Sequence, residues 1–503
     1  MLHAQTLPLA PAKLPAVGTV DERFQSYNVE MIELTGGRFW APYKAVATAP
    51  ADKSQPSPGG MPASLYRYRA PIDLSSPQLR KLARALGPAY IRISGTWANS
   101  TYFQDSDGPA PEKPPVGFNA VLTRAQWRGA VDFAKAVNAE IVTSFAISPG
   151  ARDASGVWTP SEAKKVLDYT RSIDGSIAAA ELFNEPTFAS MGGAPKGYDA
   201  AAYAHDFQAF RAFIRTAAPS LKILGPSGVG ESGALGAMAG IKLVRSDDIL
   251  RLEGPGLDAF SYHFYGGVSQ RCAMMGAASL ATPENALGNA WLSRTLGDEA
   301  FYAKLRDQFA PGKPIWLTET GETACGGNPW ASDFIDSFRY LNQLGALAKR
   351  GVQVVMHNTL DASDYALVDE TTLAPRPNYW SAVLWRRLMG NTVLDAGAPS
   401  SPALHLYAHC MRGTSGGVAL LAINADRAHA YNIVLPGASR RYTLTSSDLL
   451  SSTVMLNGVE LKLTPAGDLP PLAAVAQKPG AISLARESIT FFAIPGAHNK
   501  ACR

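Results

Sequence analysis

The sequence predicts an α/β protein, a (β/α)8 TIM barrel with a C-terminal β-sandwich domain, on three observations. Between about residues 90 and 390, short apolar strand-like runs alternate with amphipathic helical runs, the pattern of successive βα units on a parallel sheet. Beyond Gly390, strand-like runs follow one another with no helix between them. The length, 503 residues, accommodates both parts, since a barrel needs ~250 residues and a satellite domain ~100–200.

Taken in order, the barrel strands are expected at 24–32, 90–94, 140–147, 178–183, 222–225, 257–264, 314–318 and 353–359, which makes eight. The stretch 49–62, rich in Pro, Ser and Gly, reads as a loop between the first strand and the first helix. Ser76 before Pro77 is a helix start, Leu79, Leu82, Ala83 and Leu86 form its inner stripe, and Gly87 ends it. Thr123 with Gln126 reads as a capping box, and Thr159 before Pro160 with Glu162 as another. Trp127, Ala130, Val131 and Ala134 recur at helical spacing, as do Phe334, Phe338 and Leu341, and both stripes are expected to pack on the barrel. In the satellite domain, Leu404, Leu406, Ala408 and Cys410 alternate with His405, Tyr407 and His409, and further strands are expected at 418–423, 431–435 and 488–494. The barrel is placed at 24–390 and the sandwich at 391–503.

Composition excludes several classes. Apolar residues make up 46% and charged residues 17%, so the chain has enough material for packed cores and is not largely disordered. No apolar run is long enough to span a bilayer, so no membrane partner is expected. A formal charge of +4 is too small a bias to point to nucleic acid. The histidines form no HExxH pattern and the four cysteines no CxxC pair, so no metal or cofactor is expected. His405 and His409 are four apart but lie on a strand, and are expected to be exposed side chains.

In such a barrel the functional groups sit where strands end at the C-terminal face. Two glutamates qualify. In ELFNEPT an apolar strand delivers Asn184 and Glu185 and is stopped by Pro186; in PIWLTETGE another delivers Glu319 before a Gly-rich loop. Glycoside cleavage needs one carboxylic acid to protonate the leaving oxygen and a second carboxylate to attack carbon or activate water. Glutamates on the fourth and seventh strands can face one sugar ring. The competing role for Glu185 is to cap the next helix. Glu181 is expected to be a buried ion-pair partner, and Glu322, three residues past Glu319, ranks below it on position.

These motifs resemble the retaining glycosidases that include heparanase and exo-β-glucuronidases, more on the bacterial than on the animal side, from residue 24 to the C-terminus. FNEP at 183–186 matches the family's acid/base motif and WLTET at 316–320 its nucleophile motif. SYHFYGG resembles the strand-six His-x-Tyr and implies substrate-binding roles for His263 and Tyr265. DYALVDE resembles the strand-eight segment whose tyrosine, here Tyr365, meets the sugar carboxylate. Glu30 and Thr96 match early strand-end positions that contact the sugar, although the family often has Asp where Glu30 stands. The resemblance further implies that Asn184 holds a sugar hydroxyl and that the amides of Gly326 and Gly327 bind the carboxylate. One departure matters: the family's Tyr-Gly-Gly clamp is Cys325-Gly326-Gly327 here. The family also implies that residues 1–23 join the sandwich, and that Cys410 and Cys502 are disulfide-bonded.

The implied substrate is a glucuronic-acid-containing oligosaccharide or polysaccharide, with heparan sulfate first among polymers, and the expected state is a monomer. A barrel acting on a neutral sugar, such as a xyloside or glucoside, and a catalytically silent glycan-binding relative are the alternatives. The N-terminal residues lack the features of a signal peptide. A secreted or periplasmic location is expected because the implied disulfide needs an oxidising compartment.

Overall fold

The computed structural model describes residues 6–43, 61–232, 243–254, 256–275 and 280–503. Eight parallel strands close into a barrel in chain order: β1 (Gln25–Glu30), β2 (Ala89–Ser94), β3 (Ala139–Ser144), β4 (Ile177–Glu181), β5 (Lys222–Gly228), β6 (Ala259–Tyr265), β7 (Ile315–Gly321) and β8 (Val354–His357). All eight expected strands are present, with ends shifted by a few residues. The first stops at Glu30 because Met31–Thr35 forms a helical turn there. The expected loop at 49–62 lies almost wholly outside the described residues.

Alternation along the strands decides what fills the barrel. Tyr90, Val142, Ala179, Leu224, Ala259, Trp316, Val354 and Met356 form an apolar floor, with the Tyr90 and Trp316 rings 5.0 Å apart. One step higher along β2 and β4, the two-residue period puts Arg92 and Glu181 inside the barrel. They meet there as an ion pair of 2.8 Å, each about 1% exposed. The floor thus ends in a buried polar layer just beneath the strand ends.

The helices bury their expected faces. Ser76 accepts a hydrogen bond from the Leu79 amide, and Leu79, Leu82, Ala83 and Leu86 are all buried. Thr123 and Gln126 form the expected capping box, and Trp127 is fully buried with its indole N–H on Thr170. The box at Thr159 is a misreading. Pro160 occupies the cap position, so Ser161–Ser172 starts one residue late and Glu162 cannot reach back. Glu162 instead accepts from the Phe103 amide at 3.0 Å and pairs with Lys165.

Apart from two two-stranded pairs, Gly37–Trp40 with Tyr66–Arg69 and Thr101–Gln104 with Ala120–Thr123, the remaining strands form two further sheets. One contains Ala16–Thr19, Met389–Leu394, Leu404–Met411, Val418–Asn424, Ser488–Ile494 and Ser439–Thr445 side by side; the other is Thr6–Pro8, Tyr431–Leu435 and Gly480–Leu484. The segment preceding β1 therefore adds one strand to each sheet. Leu404, Leu406, Leu420, Ile433, Ile482 and Phe492 fill the space between sheets. Cys410 and Cys502 are bonded with an S–S distance of 2.05 Å.

The expectation that His405 and His409 are exposed is corrected. The outer face of the large sheet packs on helices Phe334–Lys349 and Pro377–Leu388, so Leu421, Ile489 and Phe491 join the barrel's core. His409 is buried, packs edge-on against Trp385 and donates from Nδ1 to the Gly390 carbonyl at 2.6 Å. Burial holds both imidazoles down at about 4. Tyr407 donates to Asn342 Oδ1 at 2.6 Å, and its ring lies so close to helical Gly345 that a Cβ there would come within 2.3 Å of it.

Candidate active site

A cavity opens over the C-terminal ends of the barrel strands. Glu30, Thr96, Asn184, Glu185, Tyr265, Glu319 and Tyr365 line it, a set that includes both strand-end glutamates. Trp40 and Tyr66, paired across the hairpin Gly37–Trp40/Tyr66–Arg69, add aromatic wall together with Trp97.

Glu319 reaches the cavity through an irregularity in β7. Tyr262 pairs with Leu317 but the next residue, His263, pairs with Glu319, so Thr318 is an extra residue in the ladder. Such a bulge re-aims side chains. Thr318 and Glu319 consequently both turn inward, Thr318 to Glu181 Oε1 at 2.8 Å and Glu319 to the cavity. The two Glu319 oxygens are held separately, Oε1 by the Tyr265 hydroxyl at 2.7 Å and Oε2 by Arg92 Nη1 at 2.8 Å.

Glu185 sits in the left-handed region with φ 52°, a conformation disfavoured for a non-glycine residue and common at functional sites. It precedes the turn Pro186–Phe188 but makes no side-chain cap, so the capping role fails. Asn99 pins the chain just before it, bonding the Asn184 amide at 2.8 Å and the Asn184 carbonyl at 2.9 Å. Glu185 Oε1 instead lies 3.0 Å from His263 Nδ1. The tautomer follows from the neighbour. Arg92 Nη2 is 3.2 Å from His263 Nε2, and a guanidinium can only donate, so Nε2 accepts and Nδ1 carries the hydrogen given to Glu185. Burial keeps His263 neutral, lowering it to about 4 against the pull of the Glu319 charge.

Burial raises the Glu185 carboxyl to about 7, with Arg92 opposing and Glu181 reinforcing the shift. With Oε1 accepting from His263, the proton of the acid form belongs on Oε2. An oxygen of Glu185 and one of Glu319 lie within 4.8 Å of each other, with a His263 nitrogen equally close. That trio has the residue types of a metal site, but Arg92 already supplies the positive charge and His263 Nδ1 is a donor. Glu30 is also held well above the usual carboxylate range by burial and by the Glu319 charge. Asn358 Nδ2 joins the upper layer, 3.1 Å from Glu30 Oε1, 3.1 Å from the Tyr265 hydroxyl and 3.0 Å from the Tyr365 hydroxyl. As an acceptor there, the Tyr365 hydroxyl keeps its own hydrogen free to donate.

Three sequence expectations are corrected. His263 is fully buried behind the two glutamates and does not line the cavity; it meets Glu185 and Arg92 instead. Gly326 and Gly327 do not line it either. With Cys325 they make three successive positive-φ residues that turn the chain beneath Trp40 and Tyr365, where a Cβ on Gly326 would sit 2.6 Å from Trp40. Cys325 itself is the wall residue, bonded to Cys272 across the loops that follow β6 and β7. Glu322 is buried away from the cavity, accepting from Thr323 and Asn328.

Sequence reasoning missed Arg92, Asn99 and Asn358. Arg92 had a signal, as the single charge at an inward position of an otherwise apolar strand. Asn99 lies in the short 3-10 turn Thr96–Ser100 and Asn358 just beyond the end of β8, segments too short for a period to mark them.

No family model matches the chain. Mouse (Mus musculus) heparanase is 30% identical over 495 residues, covering 85% of this chain and 88% of the relative. The hyaluronoglucuronidase of the leech Hirudo nipponia is 28% identical over 88% of this chain and 93% of its own. Among solved structures, a 4-O-α-L-rhamnosyl-β-D-glucuronidase from Fusarium oxysporum 12S superimposes with a TM-score of 0.63 at 13% identity, covering 97% of this chain and 100% of that one, a likeness of fold.

Proposed function

The chain belongs to the heparanase family, and we propose from that premise that it hydrolyses β-glucuronide linkages with retention of configuration, Glu185 serving as acid and base and Glu319 as nucleophile. The observation that carries this reading is the close approach of the two carboxylates, within 4.8 Å oxygen to oxygen, at the ends of β4 and β7. Retaining glycosidases hold the pair about 5–5.5 Å apart, whereas inverting ones need about 6.5–9.5 Å to admit a water.

The chemistry follows from how each group is held. Glu185, protonated below about pH 7, gives its Oε2 proton to the glycosidic oxygen as Glu319 attacks the anomeric carbon. The glycosyl ester then forms on Glu319 while Glu185, now charged, accepts from His263. Glu185 next takes a proton from water, which displaces Glu319 and restores the β configuration. Tyr365, whose hydroxyl hydrogen is free, is the donor for the uronate carboxylate, and Asn184, fixed by Arg92 at 2.7 Å, meets the sugar 2-hydroxyl. Heparan sulfate is the first polymer to assay, and hyaluronan the second, on the names of the relatives. The two disulfides suit an extracytoplasmic, oxidising compartment.

The test is hydrolysis of a chromogenic β-glucuronide beside the matching glucoside and xyloside and both polymers. The reading expects the glucuronide to exceed the glucoside in kcat/KM by roughly 10–100-fold, from the one charge-assisted hydrogen bond that Tyr365 donates to the carboxylate. Equal values would transfer the assignment to a neutral sugar.

A further inference from the structure

Glu181 is a buried carboxylate that the mechanism above does not use. It is 1% exposed and does not line the cavity, yet its hydrogen bonds with Thr318 and Arg92 point into the catalytic layer. Oε1 accepts from Thr318, the residue bulged out beside Glu319, and Oε2 accepts from Arg92 Nε at 3.1 Å and Nη2 at 2.8 Å. A buried ion pair is poor evidence of added stability, because well-packed apolar side chains stabilise a core equally well. Its place between the floor and the cavity therefore asks for another explanation.

We propose that Glu181 is a positioning residue for catalysis: it clamps Arg92 in the orientation that serves Glu319 and Asn184 together, and its charge offsets Arg92 so that Glu185 keeps its proton in the free enzyme. The geometry is a fork. With Nε and Nη2 anchored on Glu181, Nη1 points to Glu319 at 2.8 Å and Nη2 also reaches Asn184 Oδ1 at 2.7 Å. The same guanidinium holds His263 Nε2, and through it the Nδ1 hydrogen that His263 donates to Oε1 of Glu185. The titratable groups around Glu185 are His263 and Tyr265 from β6, Glu319 from β7, Arg92 from β2, Glu181 from β4 and Glu30 from β1. Arg92 is the one permanent cation of that set, and Glu181 shares the deep layer with it. Burial raises Glu185, Arg92 pulls it down and Glu181 pushes it back up.

The inference rests on Glu185 being the acid, and the experiment separates the two. The pH profile of kcat/KM on a β-glucuronide is measured for the wild type, Glu185→Ala and Glu181→Gln. Wild-type activity is expected to fall above about pH 7, and Glu185→Ala to lose that limb. A limb that persists in Glu185→Ala refutes the acid assignment itself. Given its loss there, Glu181→Gln should move the limb down by about one pH unit. It should also lower kcat about tenfold while KM changes less than about twofold. A limb that stays in place, whatever kcat does, overturns the proposal. Should Glu181→Gln fail to fold, Glu181→Asp draws the charge back by one methylene and is expected to shift the limb the same way by less, with reduced kcat. Wild-type kcat and limb in Glu181→Asp overturn it equally.

Discussion

Glu185, at the cavity, and Asp298, buried in the core, are both carboxyl groups that desolvation raises to about 7, and they do different things. Asp298 lies on helix Arg294–Phe309, hydrogen-bonded by Ser232, with Glu231 as its charged neighbour. Glu231 in turn is served by Ser246 and Tyr302. Neither lines the cavity over the strand ends. Around Glu185 stand a guanidinium, an oriented imidazole, a second carboxylate within 4.8 Å and the cavity. Desolvation alone raises a carboxyl anywhere in a core. A site needs in addition a fixed donor, an ionised partner and room for substrate.

Paired substitutions sharpen that contrast. The largest expected effect is on Glu319: Glu319→Ala should lower kcat by on the order of 10⁴-fold or more, whereas Asp298→Asn should stay within about twofold of wild type. An equal loss in Asp298→Asn would mean that the second cluster serves the reaction. Next in size, Glu185→Ala should slow substrates with poor leaving groups by about 10²–10⁴-fold and spare good ones in the first step, with azide restoring turnover. Equal slowing of good and poor leaving groups would remove Glu185 from the acid role.

In stability the two carboxyls should behave alike. Each has a folded value of about 7, above its unfolded value, so its contribution is full below about pH 4 and is lost as pH rises through 7. Glu185→Gln and Asp298→Asn should each gain stability relative to wild type at pH 8, by on the order of 3 kcal/mol, and little at pH 4. Denaturant titrations at both pH values measure this. A gain that is the same at pH 4 and pH 8 would show that neither group titrates with folding. The smallest effect belongs to Tyr365→Phe, which removes one charge-assisted bond worth about 1.5–3 kcal/mol. Glucuronide turnover should fall roughly 10–100-fold while residual glucoside turnover stays put, and a parallel fall in both would assign Tyr365 to packing instead.

The legibility of these groups in the sequence tracked regularity. Strands and helices declare themselves by period, which is why the strand at 90–94 and the stripe Leu79, Leu82, Ala83, Leu86 were readable, although the inward place of Arg92 within that strand went unread. Glu185 and Glu319 were readable because both end apolar strands. His409 misled because its sheet is covered on both faces, and alternation reports two faces without saying which are wet. The turn Cys325–Gly327 misled for a different reason. Glycine pairs signal positive φ, but only the three-dimensional path shows that Trp40 and Tyr365 lie over them. The bulge at Thr318, which points Glu319 into the cavity, leaves no mark in sequence at all.

The most direct test of the two-carboxylate account is to trap the intermediate. Incubation with a 2-fluoro-β-glucuronide bearing a good leaving group, followed by proteolysis and mass spectrometry, should find one glycosyl group on the peptide containing WLTET, fragmenting to Glu319. Glycosylation at Glu322, or turnover with release of the α-anomer and no adduct, would contradict the account.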